Sequence, residues 1–315
     1  MTETIIAALL PIVVTLLLGF FAGWHRDFDA SQGATLNRMI MLYALPLTLF
    51  AGIMGISRDV LISDWVMGVL LLAGMAGAYF ITFFIAAFIF RRPPAIAALQ
   101  ALAISAPAAP FVGIPVLGHL FGEVSTIPIA FTGIILNLLL SPVTLIILAR
   151  HNQPAAGNVP AAKPVTLGAN LLSTIKEPMV WAPAAAFVLL LCDVRIPAAI
   201  NSSLQLLGNA TGGVALFACG VILYSFKVTF NMTIALSVIS KNILLPLAIL
   251  LIGSVFAIDA QSLNMTVITL AIPSASICII LAVQYRVAQQ EMASTLFFST
   301  IMSVLTLGGF IYVLH

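Results

Sequence analysis

The chain has very few charged residues for its length. Of 315 residues only 7% are charged, 12 of them basic and 10 acidic, whereas 62% are hydrophobic. Soluble domains carry about 25% charged residues, so this chain cannot cover a water-exposed surface. The scarcity of charge excludes an ordinary soluble protein and predicts an integral membrane protein. The basic residues are scattered rather than clustered, so the net charge of +2 does not indicate nucleic-acid binding.

Residues for metal binding, disulfides and catalysis are also scarce. The three cysteines, Cys192, Cys219 and Cys278, lie in apolar runs, match no metal-ligand spacing and form no disulfide framework. The apolar stretches contain no paired aspartates, no HExxH helix and no serine with a placed histidine. The sequence therefore predicts neither a metal site, nor a resident cofactor, nor an enzyme.

Long hydrophobic runs are abundant. A membrane helix needs about 20 apolar residues, and hydropathy with polar breaks predicts ten such spans. The spans lie near residues 4–24, 36–56, 65–90, 95–121, 126–149, 170–192, 197–225, 230–257, 262–285 and 292–314. The connection at 150–169 is rich in Pro, Ala and Asn and predicts a flexible linker between the halves 1–149 and 170–315.

The basic residues predict an orientation in the membrane. Nine lie in the loops that follow odd-numbered spans: Arg26, Arg38, Arg91, Arg92, Arg150, Lys163, Lys176, Lys227 and Arg286. Only Arg58 and Arg195 lie in loops that follow even-numbered spans. Because cytoplasmic loops carry the excess of Lys and Arg, we expect a multi-pass inner (plasma) membrane protein with both termini outside and the linker in the cytoplasm.

The two halves are related by a weak internal repeat. With an offset of 167 residues, Pro11 aligns with Pro178 and Phe131 with Phe298, and similar matches recur across four pairs of spans. Each half holds five spans, an odd number, so the halves face opposite ways in the membrane. Inverted repeats of this kind are typical of secondary transporters. The fold class we predict is all-α, with ten transmembrane helices arranged as two inverted five-helix repeats.

Helix breakers occur at equivalent places in the two halves. Span four contains SAPAAPFVGIP at 105–115, and span nine contains AIPSAS at 271–276. Broken backbone at membrane depth is tolerated only where it is buried in protein or lines a wet cavity, so we expect spans four and nine to cross at their broken centres near the midplane. The alternative is that the prolines only kink packed helices. The candidate substrate-site residues here are Pro107, Pro110, Phe111, Gly113, Pro115, Pro273, Ser274 and Ser276.

Lys241 is the one ionisable residue deep in an apolar span. A charge at the centre of a membrane helix costs at least about 2.5 kcal/mol, which predicts a partner inside the protein: a substrate carboxylate, half-helix carbonyls or Asn242. The alternative is a lysine that snorkels to the cytoplasmic headgroups. Two half-helix N-termini and Lys241 together favour an anion, and a malonate-like dicarboxylate in particular.

Other polar and helix-breaking residues are weaker candidates. Ser105, Thr132, Asn137 and Asn242 could form a polar site for a coupling proton or sodium ion, with ordinary helix packing as the alternative. Pro46 breaks span two, and its counterpart region in span seven contains Gly212 and Gly213. These three positions predict either hinges, contacts with the crossing helices, or simply close packing.

The chain resembles the auxin efflux carrier family, and within it the bacterial malonate-carrier branch. The resemblance rests on FVGIPVLG at 111–118, SKNILLPL at 240–247, AIPSAS at 271–276 and STIMSVLTL at 299–307, together with the ten-span layout. It implies two inverted five-helix repeats, a crossover of spans four and nine, a crossover-bearing domain that moves against a scaffold, and a homodimer.

The resulting hypothesis is a secondary transporter for a small carboxylate, working by alternating access in an elevator-like way. Its expected partners are a small organic anion and membrane lipids, not nucleic acid. Three alternatives stay open at the level of the sequence: a channel, a non-transporting sensor for organic anions, and a carrier of a bile-acid-like or auxin-like monocarboxylate.

Overall fold

The computed structural model describes residues 2–55, 58, 64–151, 178–226, 228–256 and 258–314. Residues 152–169 of the predicted linker and the first part of predicted span six lie outside these residues. Within them the backbone is almost entirely helical, and the only β-type pairing in this part of the chain is a single bridge between Pro107 and Ser274.

The described residues form α-helices that we number in chain order. They are α1 Thr2–Trp24, α2 Ala30–Met39, α3 Leu45–Met54, α4 Trp65–Phe84, α5 Pro94–Ser105, α6 Ile114–Phe121, α7 Thr126–Ile135, α8 Ser141–His151, α9 Pro178–Leu191, α10 Ala198–Phe226, α11 Met232–Ile239, α12 Leu245–Val255, α13 Ala260–Ala271, α14 Ile277–Tyr285 and α15 Gln289–Leu314. Helical segments thus occupy all ten predicted span regions.

Several of these helices are long and apolar enough to cross a membrane. In the described part of the chain four continuous helices meet this criterion: Trp65–Ile89, Ile127–Arg150, Met232–Val255 and Gln289–Leu314. Shorter apolar helices include Pro94–Ser105 and Trp181–Leu191. The structure therefore shows a helical, multi-pass membrane protein, as its hydropathy predicts.

Four prolines of the described helices lie just after π-turns. Among the described residues, π-turns occupy Ile40–Ala44, Ile85–Ile89, Ala109–Gly113, Leu136–Leu140 and Ser240–Leu244. In all but the second, a proline follows two residues after the turn ends: Pro46, Pro115, Pro142 and Pro246. A proline cannot donate a hydrogen bond, and its ring clashes with the carbonyl four residues back. We attribute the wider turns to this clash. Span two accordingly continues as a helix through Pro46, where the sequence predicts a break.

The helices pack as two groups. The first group comprises α1, α2, α3, α9 and α10, which pack mainly against one another. The second group comprises α4 to α8 and α11 to α15. Its centre is formed by the two interrupted segments, in which residues 97–109 and 265–283 are all buried.

Glycines allow the closest helix contact in the first group. A Cβ added at Gly19 on α1 would overlap the carbonyl oxygen of Phe217 on α10, and one added at Gly220 would overlap the carbonyl oxygen of Leu16. Small residues let membrane helices approach to backbone contact in this way. Helices α1 and α10 are therefore held together along this contact.

Helix α13 starts at a capped N-terminus. The carboxylate of Asp259 accepts hydrogen bonds from the N–H groups of Gln261 and Ser262, at 2.9 and 3.1 Å. The hydrogen bonds that the carboxylate accepts lower its pKa below the usual range. The largest contribution comes from the Ser262 side chain, followed by the N–H groups of Ser262 and Gln261. The sequence places Asp259 at the end of a span, and this cap is consistent with that position.

Candidate functional site

The two interrupted segments touch at their interruptions. The N–H of Ala108 donates to the carbonyl oxygen of Pro273 at 2.9 Å, and the N–H of Ala275 donates to the carbonyl oxygen of Ala106 at 2.9 Å. This antiparallel bridge joins the gap after α5 to the gap between α13 and α14. Backbone groups that a continuous helix would satisfy internally are thus satisfied between the two segments.

The hydroxyl of Ser274 replaces a hydrogen bond that Pro107 cannot make. In a continuous helix the carbonyl oxygen of Ala103 would accept the N–H of residue 107, four positions on, but proline has no N–H. Instead, Ser274 Oγ donates to that oxygen at 2.7 Å. The segment that contains Ser274 therefore satisfies a carbonyl oxygen that the break at Pro107 leaves without its helical donor.

The backbone groups that lose their helical partners at the break after α13 bond to side chains from two other parts of the chain. The N–H of Ser274 would bond the carbonyl oxygen of Leu270 in a continuous helix, but it donates to Ser299 Oγ on α15 at 3.1 Å. The oxygen of Leu270 accepts from Lys241 Nζ at 3.2 Å. Lys241 thus lies at the C-terminal end of α13, where the helix dipole favours a cation.

A hydrogen-bonded pair supports this arrangement from the side. Asn242 Nδ2 donates to the carbonyl oxygen of Ser299 at 2.8 Å, and Ser299 Oγ donates to Asn242 Oδ1 at 2.7 Å. Lys241 and Asn242 are neighbours on the π-turn Ser240–Leu244 and both have zero exposure. The turn therefore directs one side chain to α13 and the next to α15.

Lys241 points into the protein rather than to a membrane surface. Among the described residues, its amine donates a hydrogen bond to a neutral carbonyl, that of Leu270. The ion pairs of the described residues are His25–Asp27, Arg92–Glu291 and Arg195–Asp193, none of which includes it. In the described part of the chain Lys241 is thus a buried amine without an acidic partner.

The remaining polar candidates, apart from Ser274 and Asn242, make few hydrogen bonds with their side chains. Ser276 is the N-cap of α14 but makes no side-chain cap bond, and Ser105 Oγ donates only a long bond, 3.4 Å, to Leu102 within its own helix. Thr132 Oγ1 and Asn137 Oδ1 are buried on α7 and the following π-turn, without a hydrogen-bond partner among the described residues.

Other predicted positions lie near the site or away from it. Gly113 is buried, and a Cβ added there would lie 3.3 Å from Ile272 Cδ1, so the first break packs against the second. Pro46 is buried at the start of α3, whereas Gly213 on α10 is exposed. The surroundings of four predicted positions lie outside the described side chains: Pro110, Phe111, Pro115 and Gly212.

A small cavity adjoins the breaks at the boundary between the two helix groups. Its volume is about 10 Å³, which is room for roughly one water molecule. Its lining comprises Ala108, Pro273, Ser274 and Ser276 from the breaks, Leu296 and Thr300 from α15, and Leu216 from α10. The described conformation is therefore closed at this point.

Sequence reasoning missed Ser299, which holds both the Ser274 N–H and Asn242. A signal for it exists, since the 167-residue offset aligns Ser299 with the candidate Thr132. In the first half the residue equivalent to Ser274 is Pro107, which has no N–H to donate. This difference explains why Ser299 is hydrogen-bonded whereas the Thr132 hydroxyl lacks a partner among the described residues.

Comparison with known proteins identifies the family. The family described as "Membrane transport protein" matches residues 4–311. The chain belongs to this family, the auxin efflux carrier family. It is 36% identical over 310 residues to the "Uncharacterized transporter YfdV" of Escherichia coli strain K12, covering 98% of this chain and 97% of the relative. Proteins of the same name from E. coli O157:H7 and Shigella flexneri match equally.

Membership of the auxin efflux carrier family confirms two predictions. The protein is a membrane transporter and not an enzyme, and the family implies a small-molecule substrate and a membrane-embedded chain. Among the described residues of this family member, the two joined helix breaks are where spans four and nine leave the helical path.

Proposed function

We propose that the protein is a secondary transporter that carries a small carboxylate, with a malonate-like dicarboxylate favoured, bound where the two broken segments meet. The observation that carries the proposal is the buried Lys241 amine beside the joined breaks, without an acidic partner among the described residues. A buried ammonium without a counter-charge is costly, so the charged form of Lys241 is favoured once a carboxylate binds beside it.

The helix ends at the breaks favour the same kind of ligand. The N-terminus of α14 carries a partial positive charge of about half a unit, and Ser276 does not cap it with its side chain. Backbone N–H groups at such an end bind carboxylates and phosphates. The ionised side chains of the described residues near the breaks contribute positive charge through Lys241 alone, so an anion suits the site better than a cation.

The arrangement of the helices supports alternating access. The small cavity lies between the breaks and α10, so it is closed by a contact between the two helix groups. Movement of the second group, which holds both breaks, relative to the first would open it. We therefore propose an elevator-like movement within a ten-span fold of two inverted repeats, 1–149 and 170–315, with the breaks crossing near the midplane.

The surroundings of the molecule follow from the sequence. The excess of basic residues in the odd-numbered loops supports an inner-membrane protein with both termini outside and residues 150–169 in the cytoplasm. The family resemblance supports a homodimer embedded in lipid. Transport would be coupled to a proton or a sodium ion.

Counterflow of radiolabelled malonate in proteoliposomes tests this function. We expect saturable exchange by the wild type and a loss of about tenfold or more in Lys241→Ala, because one buried charge interaction of about 1.4 kcal/mol already corresponds to that factor. Arg195→Ala is the matched control, since it removes a cation that is exposed and far from the breaks. Normal exchange by Lys241→Ala would contradict the charge argument, and absence of exchange by the wild type for malonate and a panel of monocarboxylates would contradict the function.

A further inference from the structure

A second, larger cavity, partly open at the protein surface, lies between helices of the second group. Its volume is about 250 Å³, which is room for several water molecules. The described residues that line it lie on α4 and its π-turn, just before and on α5, on α11 and at Ser240, and none of them belongs to a first-group helix. If the second group moves relative to the first, the walls of this cavity therefore move as one unit.

One wall of this cavity is polar and hydrogen-bonded. Gln100 Nε2 donates to Ser237 Oγ at 3.0 Å, and Arg92 Nη2 donates to Thr233 Oγ1 at 3.2 Å. Arg92 also pairs with Glu291, at 2.6 Å. This wall starts at Arg92 and Thr233, at the end of the helices that the basic residues predict to be cytoplasmic. It runs along α11 to Ser240, about 10 Å from Thr233 at 1.5 Å per residue. The polar groups of this wall offer hydrogen-bond partners to water in a cavity of this size.

The inner end of the cavity reaches the neighbourhood of Lys241. Ser240 lines the cavity and precedes Lys241 in the same π-turn, and Ile104 lines it two residues before the break of the first segment. On the other side, the amine of Lys241 contacts Leu270 at the break of the second segment. Ser240 is thus the point at which the cavity comes next to Lys241 in the chain, and the described lining residues do not include Lys241 itself.

The ionisable groups around this turn leave Lys241 without a counter-charge in the described residues. Those on or next to the surrounding helices are Asp64 before α4, Tyr79 on α4, Arg92 before α5, Asp259 before α13, and Glu291 and Tyr312 on α15. Tyr79 bonds Thr144, Arg92 and Glu291 pair with each other, and Asp259 caps α13. None of them contacts Lys241 in the structure, and Leu270 O accepts a hydrogen bond from an ammonium or a neutral amine alike.

We infer that Lys241 is the binding site of a coupling proton, and that the 250 Å³ cavity is the water path that connects it to the cytoplasmic end. The inference rests on the proposed carboxylate transport. When the site is open to the outside, the Nζ lone pair takes one proton from the water that enters with the carboxylate, because the carboxylate stabilises the ammonium form. After the carboxylate has left to the cytoplasm, the ammonium returns that proton through the cavity to cytoplasmic water. One proton therefore crosses the membrane in the same direction as each substrate molecule.

The test compares exchange with pH-driven accumulation in the same proteoliposomes, with the membrane potential held at zero by potassium and valinomycin. For wild type, malonate counterflow reports the carrier, and an imposed gradient of one pH unit should drive roughly tenfold accumulation if one proton moves per malonate. Ser240→Leu fills the inner end of the cavity without touching the breaks. We expect it to keep wild-type counterflow and to lose most of the pH-driven uptake.

Matched variants separate the roles of volume and charge. Ser240→Ala removes the same hydroxyl but leaves the cavity open, so its pH-driven uptake should equal that of the wild type. Lys241→Arg keeps the cation but cannot release a proton, so it should show no response to the gradient. If wild type exchanges malonate without responding to the gradient, or if Ser240→Leu accumulates it normally, the proton inference is wrong while the transport proposal stands. Absence of wild-type counterflow overturns the transport proposal itself.

Discussion

Ser274 connects both broken segments with α15. Its hydroxyl donates to Ala103 across the break of the other segment, and its N–H donates to Ser299. Both partners lie far from it in the sequence. Loss of the hydroxyl would leave a buried carbonyl oxygen that Pro107 cannot serve either.

Ser274→Ala should therefore destabilise the protein. We expect a loss of about 1–3 kcal/mol in the free energy of unfolding, the usual cost of a buried polar group left without its partner. Thermal unfolding of the purified protein in detergent measures it as a lower Tm. Ser254→Ala is the control, because that hydroxyl bonds Leu251 on an exposed face of α12. Equal Tm values for the two variants would show that Ala103 finds another donor.

At the scale of elements, prolines decide where helices change shape. A proline two residues after a π-turn recurs at Pro46, Pro142 and Pro246, and in each case the helix continues. At Pro107 and Pro273 the chain leaves the helical path, and the two gaps bond to each other. Whether a proline widens a helix or interrupts it therefore depends on the partners available to the freed backbone groups.

The contact between α1 and α10 depends on the lack of a side chain at Gly220. Gly220→Ala would place a methyl group against the backbone of Leu16 and Phe20, so the helices must separate. We expect about 1–3 kcal/mol of destabilisation from overpacking, seen as a lower Tm in detergent. Gly77→Ala on α4 is the matched control, since a Cβ there meets no atom within 4 Å. Alanine is the better helix former by about 1 kcal/mol, so that variant should be neutral or slightly more stable. A Gly220→Ala protein as stable as Gly77→Ala would contradict the backbone contact.

At the scale of the whole molecule, the main feature is the division into two helix groups. The breaks and Lys241 belong to the second group, while Leu216 on α10 of the first group closes the small cavity against them. A substrate larger than one water can enter only if this contact opens. The boundary between the groups is therefore where transport should be most sensitive to added volume.

Leu216→Trp tests that sensitivity. The cavity of about 10 Å³ cannot hold the larger side chain, so we expect malonate counterflow to fall by about tenfold, equivalent to roughly 1.4 kcal/mol. Leu206→Trp is the control on the same helix, because Leu206 is 80% exposed and should leave transport unchanged. Both proteins are compared at equal amounts of folded carrier. Normal transport by Leu216→Trp would place the moving boundary elsewhere.

Much of the fold could be predicted from the sequence because the relevant signals are local. Predicted span three at 65–90 corresponds to the helix Trp65–Ile89, and span eight at 230–257 to Met232–Val255. The hydropathy of a span is the sum over its own residues, so it can be read from the sequence without knowing how the helices pack. The sequence predicts that Pro46 breaks span two; in the structure the α-helix is interrupted there by the π-turn Ile40–Ala44, and the chain stays helical on both sides.

The candidate site could be predicted only in part. The sequence alone determined that the chain is a membrane protein with helix breaks at 105–115 and 271–276 and a lysine in span eight, because apolar length, missing proline N–H groups and a rare charge are properties of the residues themselves. Only the tertiary structure decided that Ser274 serves Ala103, that Lys241 bonds Leu270 and that Ser299 joins them. Those hydrogen bonds connect helices far apart in the chain, and their geometry depends on how the helices pack.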